Sequence, residues 1–218
     1  MPCAKPSRRA YLFTNHAPEQ IVSGYENIEN TDHIIAVDNG LQRIHELGLT
    51  PTIIIGDMDS VKPALLKQYS CVPMHKHPAE KKETDTELAL LWCIQQGVYS
   101  EIIICNDMQG RFDHALAIVQ NLMLMYGEEA IVRVETDNQV IFLLEETNSF
   151  DFVKGHILSI IPLSETVEFS SSAGLKYPLD GLQLLPHQSR GISNEFTADK
   201  AELVMCNGEA LAIITISN

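Results

Sequence analysis

Two aspartates separated by one residue follow a short apolar run and could bind a divalent metal ion. The run at residues 53–55 (III) leads directly into residues 56–60 (GDMDS). In an extended segment alternate side chains face the same way, so Asp57 and Asp59 can present both carboxylates at one point. Two such carboxylates repel each other unless a cation lies between them, and a hard ion such as Mg²⁺ prefers oxygen ligands. A polar turn whose aspartates cap the following segment has the same pattern, so both interpretations stay open.

A charged cluster just before an apolar helical stripe offers a third carboxylate and two cations. Thr84 and Glu87 have the spacing of a capping box, and Asp85 in the first turn favours the helix dipole, so the cluster could simply begin a helix. In the functional interpretation Asp85 adds a carboxylate to the metal site, while Lys81 or Lys82 meets phosphate oxygens.

A third group of polar residues lies where a strand passes through Gly110 into a predicted helix that carries Arg111 and Asp113. A helix N-terminus beside an arginine can bind phosphate, although an Arg111–Asp113 surface pair is the simpler alternative and contributes little to stability. His114 could act as a general acid or base, but a histidine at a helix start more often makes a structural hydrogen bond. The sequence has neither a P-loop motif nor a dinucleotide fingerprint, so phosphate chemistry would need another apparatus.

The elements that must position these residues are those of an α/β sheet. From residue 10 to about 135, short apolar runs alternate with helix patterns, and runs that are apolar at every position indicate strands buried on both faces of a parallel sheet. Ligands gather at the carboxyl ends of such strands, where this chain places its aspartates. The runs are residues 11–13, 34–37, 53–55, 102–105 and 131–134.

Two amphipathic helices are predicted between these strands, each from a stripe of large apolar residues at helical spacing. The first stripe is Leu88, Leu91 and Trp92, and the second is Leu116, Val119, Leu122, Met123 and Tyr126.

The pattern changes near residue 150, where the helical period ends. Short strand candidates at residues 156–161, 166–169, 182–185, 201–206 and 210–216 are separated by glycines and prolines, which is typical of an antiparallel sandwich or barrel. Residues 140–144 form a predicted strand at the junction. We therefore predict an α/β domain with a mainly parallel sheet over residues 1–145 and an all-β domain over residues 146–218.

The net charge limits the classes of ligand. With 15 Lys plus Arg and 29 Asp plus Glu, the formal charge of the 218-residue chain is −14, which disfavours nucleic acid and anionic membrane surfaces as partners. If the substrate is a nucleotide, the chain must recruit a cation or concentrate its few basic residues around the phosphates.

The cysteines and the N-terminal sequence predict a cytoplasmic protein. The five cysteines are widely spread and never form C-x-x-C, so they suggest neither a disulfide framework nor a zinc site. The basic N-terminus is not followed by the apolar segment of a signal peptide. No window approaches the roughly 20 consecutive apolar residues that span a bilayer.

Six segments that carry polar or glycine motifs follow one another along the chain. They are residues 38–40 (DNG), 51–60 (PTIIIGDMDS), 84–90 (TDTELAL), 110–114 (GRFDH), 174–179 (GLKYPL) and 191–195 (GISNE). In order and spacing they resemble the motifs of the thiamine pyrophosphokinase family across nearly the whole chain. The resemblance implies an enzyme that transfers the pyrophosphoryl group of ATP to the hydroxyl of thiamine and releases AMP. It also implies Mg²⁺ as cofactor, an N-terminal α/β catalytic domain, a C-terminal β-sandwich, and a homodimer with active sites between subunits.

The resemblance also implies roles for individual residues. Arg111 and Asp113 are expected to act in catalysis together with the metal-binding aspartates, and Tyr177 stands where the family often has a tryptophan that stacks on the thiamine pyrimidine. Such stacking has a physical basis, because an electron-rich ring face attracts the cationic aromatic vitamin. The metal ligands would be Asp57, Asp59 and Asp85; the ATP-binding residues Asp38, Asn39, Gly40, Thr84, Lys82 and Arg111; and the thiamine-binding residues Tyr177, Ser193 and Asn194.

The chain departs from the family pattern at three positions. Asn39 replaces the first glycine of Asp-Gly-Gly, where asparagine is the best substitute at a positive φ. Lys82 stands where an aspartate is common, so an acidic group is lost, a cation is gained and the number of metal ions stays open. Gln109 replaces a glycine before the Gly-Arg pair.

Two alternative functions remain. A pyrophosphokinase for another alcohol, such as a hydroxymethylpterin, would keep the aspartates but should lack the two C-terminal motifs. A non-catalytic protein that binds thiamine or nucleotide on a degenerate kinase scaffold would be consistent with Lys82.

Overall fold

The computed structural model describes residues 8–151 and 153–217, and the chain divides into two compact units. The first unit extends to Asp137 and the second begins at Asn138, rather than at the predicted boundary between residues 145 and 146. The difference arises because the strand at residues 139–143 pairs antiparallel with the last strand of the chain and therefore belongs to the second unit. The predicted α/β and all-β classes of the two units are confirmed.

The first unit contains a parallel sheet in which all five predicted strands are present. Residues 10–13 of its first strand are fully buried, as a sheet covered on both faces requires. The fourth strand was not predicted, because its three residues are exposed and no apolar run marks them. The strands are β1 (Arg8–Phe13), β2 (His33–Val37), β3 (Ile53–Gly56), β4 (Met74–Lys76), β5 (Tyr99–Cys105) and β6 (Ile131–Glu135), in the spatial order β6-β5-β1-β2-β3-β4.

Four α-helices are present in the described part of this unit. They are α1 (Gly40–Glu46), α2 (Pro63–Gln68), α3 (Asp85–Gln96) and α4 (Phe112–Asn121), with short 3-10 turns at Tyr25–Asn27 and Leu122–Met125. Only α3 and α4 were predicted, because α1 and α2 have fewer than two full turns and leave little periodicity to detect. None of the helices in the described residues is long and apolar enough to cross a membrane.

The helices α3 and α4 bury different faces from those predicted. In α3 the residues nearest full burial are Thr86, Ala89, Leu90 and Cys93, whereas the predicted stripe is only half-buried. Small side chains such as Ala89 count little in a hydrophobic stripe, yet they let a helix approach the sheet closely.

In α4, part of the apolar face that we predicted to be buried is in contact with solvent. Ala115 and Ile118 are buried, whereas Phe112 is 79% and Leu116 45% exposed. The predicted stripe is therefore only partly correct, because Leu122 is fully buried whereas Leu116 and Tyr126 are exposed, and the helix itself is confirmed.

The second unit is a sandwich of two antiparallel sheets, as predicted. Its strands are β7 (Gln139–Leu143), β8 (Thr147–Asp151), β9 (Ile157–Pro162), β10 (Val167–Ala173), β11 (Gln183–Leu184), β12 (Asn194–Glu195), β13 (Lys200–Asn207) and β14 (Ala210–Thr215). One sheet has the order β12-β9-β14-β7 and the other β11-β10-β13-β8, and apolar residues of both sheets form one core. The short strand β12 and the largely polar β8 were not predicted.

Candidate functional site

Three carboxylates meet at the carboxyl ends of two adjacent strands of the first unit. Asp38 follows β2, while Asp57 and Asp59 follow β3, and one carboxylate oxygen of each lies within 4.8 Å of the other two. The Asp38 backbone N–H donates to the Ile55 carbonyl over 2.9 Å, which ties the two strand ends together. The Asp59 N–H donates to Asp57 Oδ1, also over 2.9 Å. Parallel pairing of β2 and β3 thus brings the three side chains to one point.

The backbone at these strand ends has an uncommon conformation. Asp38 has φ 51°, Met58 φ 65° and Met108 φ 59°, so the loops after β2, β3 and β5 each contain a non-glycine residue in the left-handed region. Such residues persist where the surrounding structure imposes them, and they cluster at functional sites. The sequence placed the positive φ at Asn39 instead, which is wrong, since Asn39 has φ −69° and precedes the first turn of α1.

The electrostatics of this carboxylate cluster oppose full ionisation. Burial raises the pKa of Asp38, and the charges of Asp85 and Asp57 raise it further, while a hydrogen bond from Ser60 acts in the opposite direction. The neighbouring charge of Asp57 raises the pKa of the exposed Asp59 carboxyl. A cation bound among these groups would therefore stabilise their charged forms.

Asp85 lies near the carboxylate cluster but already has a cationic partner. Thr84 is the N-cap of α3 and its hydroxyl accepts a hydrogen bond from the Glu87 N–H over 3.2 Å, so this half of the predicted capping box is confirmed. The ammonium of Lys81, four residues before Asp85 and outside the helix, lies 2.5 Å from Asp85 Oδ1. The side chains of Lys81 and Asp85 are only 12% and 25% exposed. The charged cluster is therefore both a helix start and part of the acidic surface.

A cavity of about 370 Å³ is formed by the residues around these strand ends. The first residues of α3, Asp85 and Thr86, line it, and the first N–H groups of a helix have no partner within that helix. The polar and charged lining residues of the cavity include Asp38, Asp57, Lys81, Thr84, Asp85, Arg111 and His114, together with Thr14, Asn15, His16 and Asn106.

A buried polar pair supports the floor of this cavity. The Asn106 amide donates to the Thr14 hydroxyl over 2.7 Å, and that hydroxyl donates to the Cys105 carbonyl over 2.9 Å. The Asn106 amide oxygen accepts from the Met108 N–H over 2.6 Å. Both side chains are buried, so these bonds hold the ends of β1 and β5 in one arrangement.

Arg111 lines the cavity and also forms the surface pair that the sequence allowed. Its Nε lies 3.1 Å from Asp113 Oδ1 and its Nη2 lies 2.5 Å from Asp113 Oδ2, while the two side chains are 72% and 64% exposed. The guanidinium holds the pKa of Asp113 below its usual value. This two-point contact fixes the orientation of Arg111 at the rim, where its remaining N–H groups can reach an anion.

In the second unit a buried asparagine holds the backbone beside an exposed tyrosine. Asn194 Oδ1 accepts from the Tyr177 N–H over 3.0 Å and from the Glu195 N–H over 2.9 Å, and Asn194 Nδ2 donates to the Tyr177 carbonyl over 2.7 Å. Asn194 is 6% exposed and Tyr177 61% exposed. The amide thus positions the tyrosine, whose ring is free to contact a ligand.

Charged and strained residues surround this tyrosine. The Lys176 ammonium lies 2.8 Å from Glu195 Oε2 and 5.9 Å from the centre of the Tyr177 ring. Ser193 is exposed, has φ 57° and donates its N–H to the Ser159 hydroxyl over 3.1 Å. A carboxylate and an aromatic face close together suit a cationic aromatic ligand.

Both units match models of known protein families. The family model described as the thiamin pyrophosphokinase catalytic domain matches residues 25–134, and the one described as the thiamin pyrophosphokinase vitamin B1 binding domain matches residues 143–208. The chain belongs to the thiamin pyrophosphokinase family. Members of this family are enzymes, so this chain is an enzyme too.

Its relatives extend over most of the chain. Thiamine pyrophosphokinase of Bacillus subtilis is 28% identical over 187 residues, which cover 82% of this chain and 85% of the relative. Thiamin pyrophosphokinase 1 of Caenorhabditis elegans is 24% identical over 205 residues, covering 88% and 83%. The similarity therefore includes both units.

Solved structures share the fold. The crystal structure of the Bacillus subtilis thiamine pyrophosphokinase has a TM-score of 0.81 at 20% identity and covers 97% of this chain and 100% of its own. That of the Geobacillus thermodenitrificans thiamin pyrophosphokinase has a TM-score of 0.78 at 26% identity, covering 97% and 98%. Thiamin pyrophosphokinases thus have the same arrangement of parallel and antiparallel strands.

Several of the residues that the resemblance selected line the cavity, and their individual roles stay predictions. Asp85, Thr84 and Arg111 line the same cavity as Asp38 and Asp57, but Asp38, rather than Asp85, completes the group of three close carboxylates. Asn39 and Gly40 begin α1 directly after Asp38. Lys82 is exposed and is not among the cavity-lining residues, in contrast to Lys81, and Gln109 is exposed outside the cavity.

The sequence interpretation missed a group of polar residues that follow β1. Thr14, Asn15 and His16 line the cavity, and Asn15 accepts a hydrogen bond from the Asn39 amide over 2.8 Å. The signal was available, because they stand directly after the apolar run 11–13, the place where ligands gather in a parallel sheet.

The hydrogen bonds of the Asn194 amide predict how much stability the protein loses when this side chain is removed. We expect Asn194→Ala to lower the free energy of unfolding by about 2 kcal/mol, because two backbone N–H groups and a carbonyl lose their partner in a buried place. Denaturant unfolding measures this loss. Asn207→Ala, which removes one exposed hydrogen bond to Thr166, should cost no more than about 0.5 kcal/mol. Equal losses for the two variants would contradict the positioning role of Asn194.

Proposed function

We propose that this chain transfers the pyrophosphoryl group of ATP to the hydroxyl of thiamine, giving thiamine diphosphate and AMP. The observation that carries the proposal is the carboxylate cluster, which lies at the strand ends of the unit that matches the catalytic domain of the family. The second unit matches the vitamin B1 binding domain and contains the exposed Tyr177.

The residues of the cluster fit a divalent metal ion. Asp38 Oδ1 is buried and accepts no hydrogen bond from the residues that the structure describes, although it belongs to the group whose oxygens lie within 4.8 Å. Carboxylate oxygens are the donors that Mg²⁺ prefers, and a phosphate substrate commonly completes its coordination. Asp57, Asp59 and Asp85 would hold Mg²⁺, as the resemblance implies, with the Asp38 carboxylate next to those of Asp57 and Asp59. When bound, Mg²⁺ would neutralise phosphate charge.

The chain's own residues would bind and orient the triphosphate. Arg111 at the cavity rim and Lys81 within it supply positive charge, and the N-terminal end of α3 supplies N–H donors. In the reaction, the thiamine oxygen forms a bond to the β-phosphorus, the bond from that phosphorus to the α,β-bridging oxygen breaks, and the hydroxyl proton is released. Positioning and electrostatic stabilisation account for most of the catalysis in such transfers.

The tyrosine of the second unit would bind the vitamin. The Tyr177 ring is exposed, and the Lys176 ammonium 5.9 Å from its centre occupies a position that a cation favours. The cationic vitamin would take this position, while the ammonium stays with the Glu195 carboxylate. Ser193 stands beside Tyr177 as an exposed hydroxyl, whereas all the polar atoms of the Asn194 side chain are engaged by the backbone. We therefore assign Asn194 to positioning Tyr177 and assign the ligand contacts to Tyr177 and Ser193.

The homodimer and the cytoplasmic location are part of the same proposal. The homodimer follows from the family resemblance and is tested by sedimentation velocity. The cytoplasmic location is supported by the free thiols of Cys71, Cys93, Cys105 and Cys206, which a reducing compartment maintains.

The function is tested by identifying the products of a reaction that contains ATP, Mg²⁺ and thiamine. We expect thiamine diphosphate and AMP in equal amounts. The formation of ADP would exclude pyrophosphoryl transfer, and no turnover of thiamine would exclude the substrate. A hydroxymethylpterin in place of thiamine tests the alternative acceptor and should give no AMP.

Nucleotide binding is expected to depend on divalent metal. Because several carboxylates face the cavity, a tetra-anionic nucleotide meets strong repulsion unless Mg²⁺ is present. Calorimetry with ATP should show binding with Mg²⁺ and at least about tenfold weaker binding in EDTA. Equal affinity under the two conditions would instead favour a degenerate, non-catalytic nucleotide-binding protein.

A further inference from the structure

One lysine lies inside the acidic cavity and is bound to one of its carboxylates. Lys81 Nζ contacts Asp85 Oδ1, and the two side chains are 12% and 25% exposed. Both residues line the cavity that also contains Asp38 and Asp57. The contact is thus a shielded ion pair next to the carboxylate cluster, not a pair on an open helix surface.

Asp85 lies close to the carboxylate cluster but is not one of its members. Its carboxylate is not among the three whose oxygens lie within 4.8 Å of one another, yet its charge acts on both Asp38 and Asp59. The charge of Lys81 acts on Asp59 in the opposite direction. A divalent ion in the cluster and the Lys81 ammonium would therefore attract the same carboxylate.

We propose that Lys81 competes with the divalent ion for Asp85, and that the triphosphate ends this competition by taking up the ammonium, which frees Asp85 for the metal. The inference rests on the proposed function, since it takes the cavity as the site of nucleotide and metal. It makes Lys81 a residue that couples nucleotide binding to metal binding.

The chemistry of lysine suits this exchange. Its ammonium is a compact charge on a flexible four-carbon stem with three donors, so it can move from a carboxylate to a nearby phosphate without a change in the backbone. Each cation keeps an anionic partner, because the ammonium passes to phosphate and the carboxylate passes to the metal. The neighbouring Lys82 is exposed and does not line the cavity, so it cannot make the same contact from this arrangement.

A purely structural role for the ion pair makes a different prediction. Lys81 precedes the first residue of α3, and an ion pair near the protein surface contributes at most about 1 kcal/mol to stability. If the pair had only this role, removal of Lys81 would slightly lower stability and would change metal affinity no more than the loss of any nearby positive charge.

The test is a titration of the full chain with Mn²⁺ in the absence of nucleotide, followed by electron paramagnetic resonance. We expect Lys81→Met to bind Mn²⁺ on the order of tenfold more tightly than the unsubstituted protein, since the substitution removes a positive charge that competes with the ion for Asp85 in a shielded site. Lys81→Arg keeps the cation and should bind as weakly as the unsubstituted protein.

The control is Lys76→Met, which removes the same charge at the end of β4. Lys76 is exposed and stands opposite Gly56 in the register of β3 and β4, so it is close to the cluster without lining the cavity. Its Mn²⁺ affinity should change by less than about twofold, as for a screened surface charge. Equal Mn²⁺ affinities of the Lys81→Met and Lys76→Met variants would overturn the proposal.

A second titration tests the transfer of the ammonium to phosphate. With saturating Mn²⁺ and an α,β-methylene analogue of ATP, Lys81→Met should bind the analogue about tenfold more weakly than Lys76→Met, because one charge-assisted contact is lost. Undiminished affinity for the analogue would refute this step. Thermal unfolding of each variant shows that the fold is retained.

These readouts are independent of turnover on thiamine. A protein that makes no thiamine diphosphate but shows tighter Mn²⁺ binding and weaker analogue binding in Lys81→Met would refute the proposed function and support the coupling. An enzyme that is active on thiamine but shows unchanged Mn²⁺ affinity in Lys81→Met would support the proposed function and refute the coupling.

Discussion

Asp59→Asn is expected to lower the rate of thiamine diphosphate formation by about 100-fold or more while leaving the fold intact. Asp59 is exposed, and its carboxylate lies within 4.8 Å of the carboxylates of Asp38 and Asp57. The substitution keeps the shape and removes the charge that would bind Mg²⁺, and the loss of one preorganised electrostatic contact in an active site costs a factor of about 10²–10³. Chromatography of AMP and thiamine diphosphate measures the rate.

Asp199→Asn is the matched control for this variant. It makes the same chemical change at an exposed residue of the second unit that lies outside the cavity, and it should keep the full rate. Circular dichroism should show the same secondary structure for both variants. An Asp59→Asn enzyme that retains more than half of the original rate would rule out a metal-binding role for this residue.

The largest stability effect is expected at Gly40, the first residue of α1. A Cβ atom placed on Gly40 would lie 1.7 Å from the backbone oxygen of Phe13, which is part of the fully buried strand β1. Alanine normally favours a helix over glycine, so any loss must come from this overlap. We expect Gly40→Ala to lower the free energy of unfolding by about 3 kcal/mol, the upper range for overpacking of a well-packed interior. Urea unfolding followed by circular dichroism measures it.

Gly48→Ala separates steric overlap from backbone strain. Gly48 has φ 67° and no atom within 4 Å of the site of a Cβ, so alanine there meets only the cost of a left-handed conformation, about 1 kcal/mol. If Gly40→Ala lost no more stability than Gly48→Ala, the close approach of α1 to β1 would be refuted.

The elements that could be predicted from the sequence are strands that are buried on both faces of the sheet. Strands β1, β2, β3 and β5 each contain three or four consecutive buried apolar residues because both faces of the sheet are covered, and such runs are visible without a structure. The strand β4 has only exposed residues, and β12 has two residues, so neither leaves a hydrophobic pattern. Their pairing depends on neighbouring strands that are distant in sequence.

The candidate site was predicted in part because its residues follow strand ends. This rule selected Asp38, Asp57 and Asp59 correctly as neighbours. It could not show that Lys81, and not Lys82, lies in the cavity, because that depends on the side on which α3 begins. The sequence also could not show which carboxylate lies closest to Asp57 and Asp59. The distance between neighbouring strands decides this, and spacing along the chain does not.

Asp38, Met58 and Met108 have a further consequence for how this protein responds to selection or engineering. Glycine could adopt each of these left-handed conformations without strain, whereas a side chain there costs about 1 kcal/mol of folding free energy. At Asp38 the left-handed conformation lowers the folding stability, whereas the carboxylate contributes to ligand binding in the proposed site. A search for thermostable variants that did not also measure activity would therefore favour glycine at Asp38, and would remove the carboxylate that the proposed site needs.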